Sequence, residues 1–280
     1  MQRRWGASWV VLAVMITALV SASLSGPAHA SPRAGATYVA LGDSGAATTG
    51  IVETELASGR CFRSLVNYPK LVAKQLGVAV DDRTCSSAKI KDMYGSQSPG
   101  VQPQLTALGA DTRLVTLHIG PNDIGFTSRH IECIVSAEKC VNNRLPWRRT
   151  IDSVMPRLER LIADIAARSP RATIILDGWP IYIRDNGCPQ ALVVGAAANA
   201  LNDQYRHLNS RLVQIAEKTG AIYVDTQVPG HDACASPTQR WIDPVLGATT
   251  WVPFHPTPQG MRATARAIER ALDKSDWSTA

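Results

Sequence analysis

Three short apolar runs, each followed by a glycine at a turn, constrain the fold of this chain more than any other feature. The runs are Thr37 to Leu41, Arg113 to Ile119 and Ala172 to Leu176, and the glycines are Gly42, Gly120 and Gly178. Short apolar runs rich in β-branched residues are typical of buried strands. Because helical patterns lie between these runs, we expect an α/β fold, with one parallel sheet in a three-layer α/β/α arrangement.

The other segments can be assigned from their periodicity. Helices are predicted at Tyr68 to Leu76, Gln104 to Leu108, Ser153 to Arg168, Gln190 to Lys218 and Pro258 to Leu272, and two further strands at Val78 to Val80 and Ala221 to Val224. Pro156 is expected in the first turn of its helix, where proline is tolerated. The stretch from Thr127 to Trp147 shows no clear pattern, and we expect it to be an ordered loop beside the functional site.

Polar side chains follow the predicted strands at the turns. Ser44 comes after the first run, in Gly42-Asp43-Ser44, and Asn122 comes after the second. The carboxyl ends of parallel strands form the ligand-binding edge of such a sheet, so these side chains should converge there. His255 precedes the last helix and could supply the base that a serine hydroxyl needs to become a nucleophile. Taken singly, each motif could be an ordinary turn, since Gly, Asp, Ser, Asn and Pro all favour turns.

In order and spacing, the motifs resemble the SGNH or GDSL hydrolase family, and most closely its secreted bacterial branch with six cysteines. The segments that carry the resemblance are Gly42-Asp43-Ser44, Gly120-Pro121-Asn122-Asp123-Ile124-Gly125-Phe126, Gly230-His231-Asp232-Ala233-Cys234 and Phe254-His255-Pro256. It covers nearly the whole chain after residue 30. It implies a flavodoxin-like fold and a secreted serine hydrolase that cleaves carboxylic esters, with an acyl-enzyme on Ser44 and His255 as general base. No metal or other cofactor is implied.

The same resemblance implies an oxyanion hole, and it shows two departures from the family pattern. The donors would be the backbone N–H groups of Ser44 and Ser87 and the side-chain amide of Asn122, although the family usually carries glycine where Ser87 stands. Most members have an aspartate three residues before the histidine, where this chain has Val252. In the six-cysteine branch a backbone carbonyl takes that part, so we expect the Val252 carbonyl to orient His255. Asp243 is the alternative.

The other histidines of the mature chain are His118, His130, His207 and His231. His118 lies inside a predicted strand, which favours a packed core residue. His231 belongs to a family segment and is the nearest competitor of His255, but we interpret it as structural support near a disulfide.

Six cysteines follow residue 30, an even number that favours disulfides in an exported protein. Sequence alone allows 15 pairings. Closing nearest neighbours would join Cys61 to Cys85, Cys133 to Cys140 and Cys188 to Cys234, and the family resemblance implies this sequential pairing.

The first thirty residues have the features of a signal peptide. Arg3 and Arg4 precede the apolar run from Trp9 to Val20, and Ala28-His29-Ala30 supplies a cleavage site. The run is shorter than the ~20 residues that a membrane-spanning helix needs. We therefore expect a signal peptide at 1–30, a single hydrolase domain at 31–280, and an extracellular or cell-envelope location.

The charge and hydropathy of the chain indicate which kinds of partner it can bind. The net charge of +6 falls by two when cleavage removes Arg3 and Arg4, and the remaining basic residues are scattered. No run of like charges predicts a nucleic-acid site, and no later run predicts a membrane span. We expect a monomer that acts on a small-molecule or lipid ester.

The acyl chain, the alcohol and the physiological role remain open at this point, and three hypotheses follow. The first is an esterase or lipase. The second is a deacetylase of acetylated polysaccharide or cell-wall glycan, because a fold does not determine a substrate. The third, motivated by Ser87 and Val252, is a non-catalytic binding protein on a decayed hydrolase scaffold.

Overall fold

The computed structural model describes residues 37–48, 50–51, 53–275 and 277. The predicted signal peptide at 1–30 lies outside these residues. No helix in the described part of the chain is long and apolar enough to cross a bilayer.

Five strands form a central parallel sheet, as the sequence predicts. The strands of the chain are β1 (Tyr38–Gly42), β2 (Val80–Asp82), β3 (Leu114–His118), β4 (Thr173–Asp177), β5 (Gly187–Cys188), β6 (Val193–Val194) and β7 (Ile222–Val224). The sheet has the order β2-β1-β3-β4-β7, while β5 and β6 form a separate antiparallel pair. All carboxyl ends of the sheet strands therefore lie on one edge, where the residues that follow them can meet.

Helices cover both faces of the sheet. They are α1 (Ser44–Ala47), α2 (Tyr68–Leu76), α3 (Lys91–Tyr94), α4 (Phe126–Val135), α5 (Ala137–Asn142), α6 (Arg144–Arg168), α7 (Gly195–Thr219) and α8 (Pro258–Asp273), with 3-10 turns at Leu56–Cys61, Gln104–Ala107 and Pro189–Ala191. Strand β1 shows the layering, because its side chains alternate between two cores. Val39 and Leu41 belong to the core under α6 and α7, and Tyr38 and Ala40 belong to the core under α2 and α8.

The expectation of a loop from Thr127 to Trp147 is wrong. This stretch contains most of α4, all of α5 and the start of α6. Two short helices separated at Ser136 leave too few turns for a clear apolar period. Ser136 caps α5 by accepting a hydrogen bond from the N–H of Lys139 at 3.2 Å, and the disulfide Cys133–Cys140 holds α4 against α5.

The placement of Pro156 in a first helical turn is also wrong, since α6 begins at Arg144 and Pro156 lies in its interior. A proline there removes one backbone hydrogen bond. Buried side chains on both sides of it, including Val154 and Leu158, anchor the helix to the core.

The disulfide pairing implied by the resemblance is confirmed. The bonds join Cys61 to Cys85, Cys133 to Cys140 and Cys188 to Cys234.

Candidate active site

Ser44 is the first residue of α1 and is separated from the end of β1 only by Asp43, at the carboxyl edge of the sheet. Asp43 caps this helix by accepting a hydrogen bond from the N–H of Gly45 at 2.9 Å. The side chain of Gln104 clamps Gly42, accepting from its N–H at 2.8 Å and donating to its carbonyl at 2.9 Å. A Cβ at Gly42 would lie 2.7 Å from the carbonyl oxygen of His118, so only glycine allows β3 to approach this closely.

His255 meets Ser44 across 211 residues of chain. Its Nε2 lies 3.0 Å from Ser44 Oγ, and its Nδ1 lies 3.0 Å from the carbonyl oxygen of Pro253. A proton on Nδ1 donates to that carbonyl, which leaves Nε2 free to accept the serine proton. Burial lowers the pKa of His255 below 6.5, and the hydrogen bond to Pro253 opposes this in part. The imidazole is therefore neutral at pH 7, the state that a general base requires.

The carbonyl that contacts His255 belongs to Pro253 and not to Val252, which corrects the expectation from sequence. The reason is the backbone of Phe254, which has a φ of 55° and turns the chain sharply before His255. Because of this turn, the carbonyl of Pro253, two residues before the histidine, lies against His255 Nδ1. The Val252 carbonyl accepts a hydrogen bond from the hydroxyl of Thr250 at 3.3 Å.

The carboxylate of Asp243 has other partners. It is fully buried and accepts hydrogen bonds from the N–H groups of Thr249 and Thr250, at 3.0 and 2.7 Å, and Arg240 Nε lies 2.9 Å from it. Its backbone pairs with the segment that carries His255, since the Asp243 N–H donates to the His255 carbonyl at 3.1 Å. Asp243 therefore organises the loop before the histidine and does not orient the imidazole.

Ser87 and Asn122 lie on the turns next to Ser44. Ser87 has a φ of 66°, in the left-handed region that favours glycine, and Cys85, two residues before it, ties this turn to Cys61. The side-chain amide of Asn122 donates to the carbonyl of Ala88 at 3.0 Å and lies 3.5 Å from Asp43 Oδ2. These contacts place Asn122 between the turn of Ser44 and the turn of Ser87.

Comparison with known proteins agrees with this geometry. The model of the GDSL-like Lipase/Acylhydrolase family matches residues 40–263, which include Ser44, Asn122 and His255. The chain belongs to this family. As a GDSL-type protein it is a carboxylic ester hydrolase, as the resemblance implies.

Several GDSL relatives cover most of the chain. Lipase 2 of Streptomyces coelicolor is 36% identical over 263 residues, which is 88% of either chain. Among solved structures, phospholipase A1 of Streptomyces albidoflavus has a TM-score of 0.73 and 27% identity, covering 85% of this chain and all of that one. The extracellular lipase of Streptomyces rimosus has the same TM-score, 0.73, at 26% identity, with coverage of 84% and 98%. The three-layer parallel α/β fold is thus that of the GDSL hydrolases.

None of the other histidines lies against Ser44 Oγ in the described structure. His231 stacks on Trp241 at 4.2 Å and its Nδ1 lies 2.6 Å from the carbonyl oxygen of Gln239, so it supports its loop. His207 lies 2.9 Å from Asp152 on the outer helices. His130 and His118 are buried, as expected of His118 from its strand.

Two residues at the site were missed from the sequence. Asp177 ends β4 and binds His118, and Gln104 holds Gly42. Asp177 comes directly after the apolar run from Ala172 to Leu176, a signal similar to the one that marks Ser44 and Asn122. Gln104 comes from a 3-10 turn and carries no such signal. Within the described residues, no group of three His, Cys, Asp or Glu side chains is arranged to hold a metal ion.

Proposed function

We propose that Ser44 and His255 form a catalytic dyad that cleaves the ester through an acyl-enzyme. The observation that carries this proposal is the 3.0 Å contact between Ser44 Oγ and His255 Nε2. In the acylation step Ser44 Oγ attacks the ester carbonyl carbon while Nε2 takes its proton, and His255 then gives the proton to the leaving alcohol. In deacylation His255 takes a proton from water, whose oxygen attacks the acyl carbon, and then returns this proton to Ser44 Oγ as the acid leaves.

The imidazolium formed in each step would be stabilised by the Pro253 carbonyl in place of an aspartate. The N–H groups of Ser44 and Ser87 and the amide of Asn122 are the proposed donors to the tetrahedral oxyanion. Each such donor lowers the barrier by about 3 kcal/mol in enzymes of this kind. Asn122 lies between the two turns, and its contact with Asp43 Oδ2 is long, at 3.5 Å, so this N–H is the one that would turn to the oxyanion.

Lipid esters are the substrate class that we propose. Trp251 and Phe62 are 57% and 41% exposed and contact each other edge to face, with ring centroids 6.0 Å apart. Trp251 lies four residues before His255, and its N–H donates to the carbonyl of Gly50 in the segment after α1. An exposed aromatic pair in the segment before His255 offers apolar surface that an acyl chain can contact. Two relatives of the chain, a lipase of Streptomyces coelicolor and a phospholipase A1 of Streptomyces albidoflavus, support the same substrate class.

Deacetylation of a glycan is the second candidate, and a non-catalytic role is disfavoured because the dyad contact is intact. We further propose that the protein is secreted, cleaved after residue 30 to leave one domain at 31–280, and monomeric. Three disulfides and the extracellular lipase of Streptomyces rimosus support secretion.

The test combines a nucleophile variant with a series of esters. Ser44→Ala should lower kcat by at least about 10³-fold with an unchanged circular dichroism spectrum, whereas Ser210→Ala on the outer face of α7 should match the wild type. Among p-nitrophenyl esters of increasing chain length, we expect kcat/KM to be higher for long acyl chains than for acetate. Turnover of acetyl esters alone would favour the glycan reaction, and full activity of Ser44→Ala would refute the dyad.

A further inference from the structure

Below the turn of Ser44 lies a buried histidine, His118, which the proposed chemistry does not use. Its Nδ1 is 2.6 Å from Asp177 Oδ2, and Tyr68 donates its hydroxyl to the other carboxylate oxygen at 3.1 Å. His118 is 5% exposed and Asp177 is 2% exposed. A carboxylate so buried is stable as an ion only where donors and a positive charge surround it.

Asp43, the residue before Ser44, is a second buried carboxylate. It is 1% exposed and accepts hydrogen bonds from Gly45 and, at 3.5 Å, from Asn122. In the described structure no lysine or arginine forms an ion pair with it. Burial raises the pKa of Asp43 to about 6, while the positive charge of His118 acts in the opposite direction. At pH 7 the turn of Ser44 therefore carries an ionised carboxylate, and His118 is the basic side chain whose charge would act on it.

His118 also contacts this turn directly. Its carbonyl accepts a hydrogen bond from the N–H of Asp43 at 3.0 Å, and a Cβ at Gly45 would overlap His118 Nε2. The ring of Trp179 packs against the imidazole, with centroids 3.9 Å apart. Aromatic faces attract cations, so this contact favours the protonated ring.

We propose, on the basis of the role proposed above for Ser44, that His118 is a positioning residue. It carries a proton at neutral pH and, as a cation between Asp177 and Asp43, fixes the turn on which Ser44 stands. Burial alone would lower the pKa of His118, but the carboxylates of Asp177 and Asp43 outweigh it and raise the pKa above 6.5. The titratable groups that face it are Asp177, Asp43 and, through Asp177, Tyr68.

The cluster acts through the turn and is not a second reaction centre. It borders a cavity of about 20 Å³, lined in part by Gly45, Tyr68, His118 and Asp177. Such a volume admits about one water molecule and no ester.

The first test is NMR of the whole protein labelled with ¹⁵N-histidine, with His118→Asn used to assign the signals. We expect both ring nitrogens of His118 to be protonated at pH 7. His255, in contrast, should titrate with a midpoint below pH 6.5 and be neutral at pH 7. A single ring proton on His118 at pH 7 would overturn the proposal. Because this measurement does not depend on turnover, it stays informative even if Ser44 is not the nucleophile.

The second test removes the carboxylate of Asp177, which is the countercharge of His118. Asp177→Asn should lower kcat for a soluble short-chain ester roughly 10- to 100-fold through a misplaced nucleophile, with KM nearly unchanged. The loss relative to wild type should shrink as the pH falls, because His118 regains its proton, and a purely structural defect would not show this dependence.

The matched control is Asp152→Asn, which breaks a similar contact to His207 at 2.9 Å between α6 and α7 and should leave kcat unchanged. A wild-type kcat in Asp177→Asn, or a loss of equal size at every pH, would contradict the proposal. If Asp177→Asn fails to fold, the NMR titration of the wild-type protein decides.

Discussion

At the scale of single residues, two residues of the site that are not glycine have backbone angles that glycine usually adopts. Ser87 has a φ of 66° and Phe254 a φ of 55°. Such conformations cost roughly 1–2 kcal/mol for a residue with a Cβ, and packing must compensate. The ring of Phe254 packs on His130 at 4.7 Å, and His130 Nε2 lies 2.9 Å from the hydroxyl of Tyr205. Burial lowers the pKa of His130 to about 4, so the support for Phe254 stays uncharged.

Variants of Ser87 test whether its backbone or its hydroxyl acts in catalysis. Ser87→Ala and Ser87→Gly both keep the N–H, so kcat should stay close to that of the wild type. The glycine variant should be more stable than the alanine variant by about 1 kcal/mol in urea unfolding, because glycine avoids the left-handed penalty. A large loss of kcat in both variants would mean that the hydroxyl is the donor.

The pH dependence of kcat/KM tests the environment of His255. Only the neutral imidazole can accept the proton of Ser44, so activity is lost as the pH falls through the pKa of His255. Because burial lowers that pKa, the acid limb of a pH–rate profile should have its midpoint below 6.5. A midpoint above 7 would indicate a carboxylate on Nδ1, which would raise the pKa.

At the scale of elements, the segment from Arg240 to His255 decides where the base stands. It has little regular secondary structure, and its order comes from Asp243. The carboxylate of that residue accepts hydrogen bonds from Thr249 and Thr250 and forms an ion pair with Arg240. Its backbone forms hydrogen bonds with Phe254 and His255. In this segment the contacts of a buried carboxylate therefore provide the order that backbone hydrogen bonds provide in a strand.

Asp243→Asn should therefore destabilise the protein and have little effect on the chemistry. It removes the carboxylate that neutralises Arg240, which is 4% exposed, and breaking a buried ion pair costs about 3–5 kcal/mol. We expect a lower Tm in calorimetry, with kcat close to that of the wild type well below that Tm. Asp203→Asn, in an exposed pair with Arg206, should change the stability by less than about 1 kcal/mol. A loss of kcat near 10⁴-fold in folded Asp243→Asn would instead place its carboxylate in a triad.

At the scale of the whole molecule, the sheet brings the site residues to one edge, and the disulfides fix the segments around them. Cys61–Cys85 ties the segment after α1 to the turn of Ser87, and Cys188–Cys234 ties β5 to the loop that contains His231. Cys133–Cys140 joins two neighbouring helices. The three bonds close loops of different length, with sequence separations of 24, 46 and 7.

Removing each disulfide by a pair of Cys→Ala substitutions should destabilise the protein in the order of loop length. The chain-entropy relation gives losses of about 4 kcal/mol for Cys188–Cys234, about 3.5 kcal/mol for Cys61–Cys85 and about 2.5 kcal/mol for Cys133–Cys140. Urea unfolding of the three double variants measures this order. An inverted order would show that native packing, and not the unfolded chain, controls the effect.

Much of the site could be predicted from the sequence because it depends on local chemistry. Apolar runs that stop at Gly42 and Gly120 placed Ser44 and Asn122 at strand ends, and a parallel sheet brings such ends together. The position of His255 before α8 also followed from its motif. Each of these motifs is written in consecutive residues, whereas the pairing of the three disulfides was implied by the family resemblance.

Only the tertiary structure decided the partners of the side chains at the site. The carbonyl of Pro253, and not that of Val252, meets His255 because Phe254 adopts its angle by packing on His130, a residue far away in the chain. His118 meets Asp177 because the register of β3 and β4 sets Leu117 opposite Leu176. Periodicity and turn residues report what a segment does by itself, whereas a hydrogen bond between distant segments depends on register and packing that no single segment encodes.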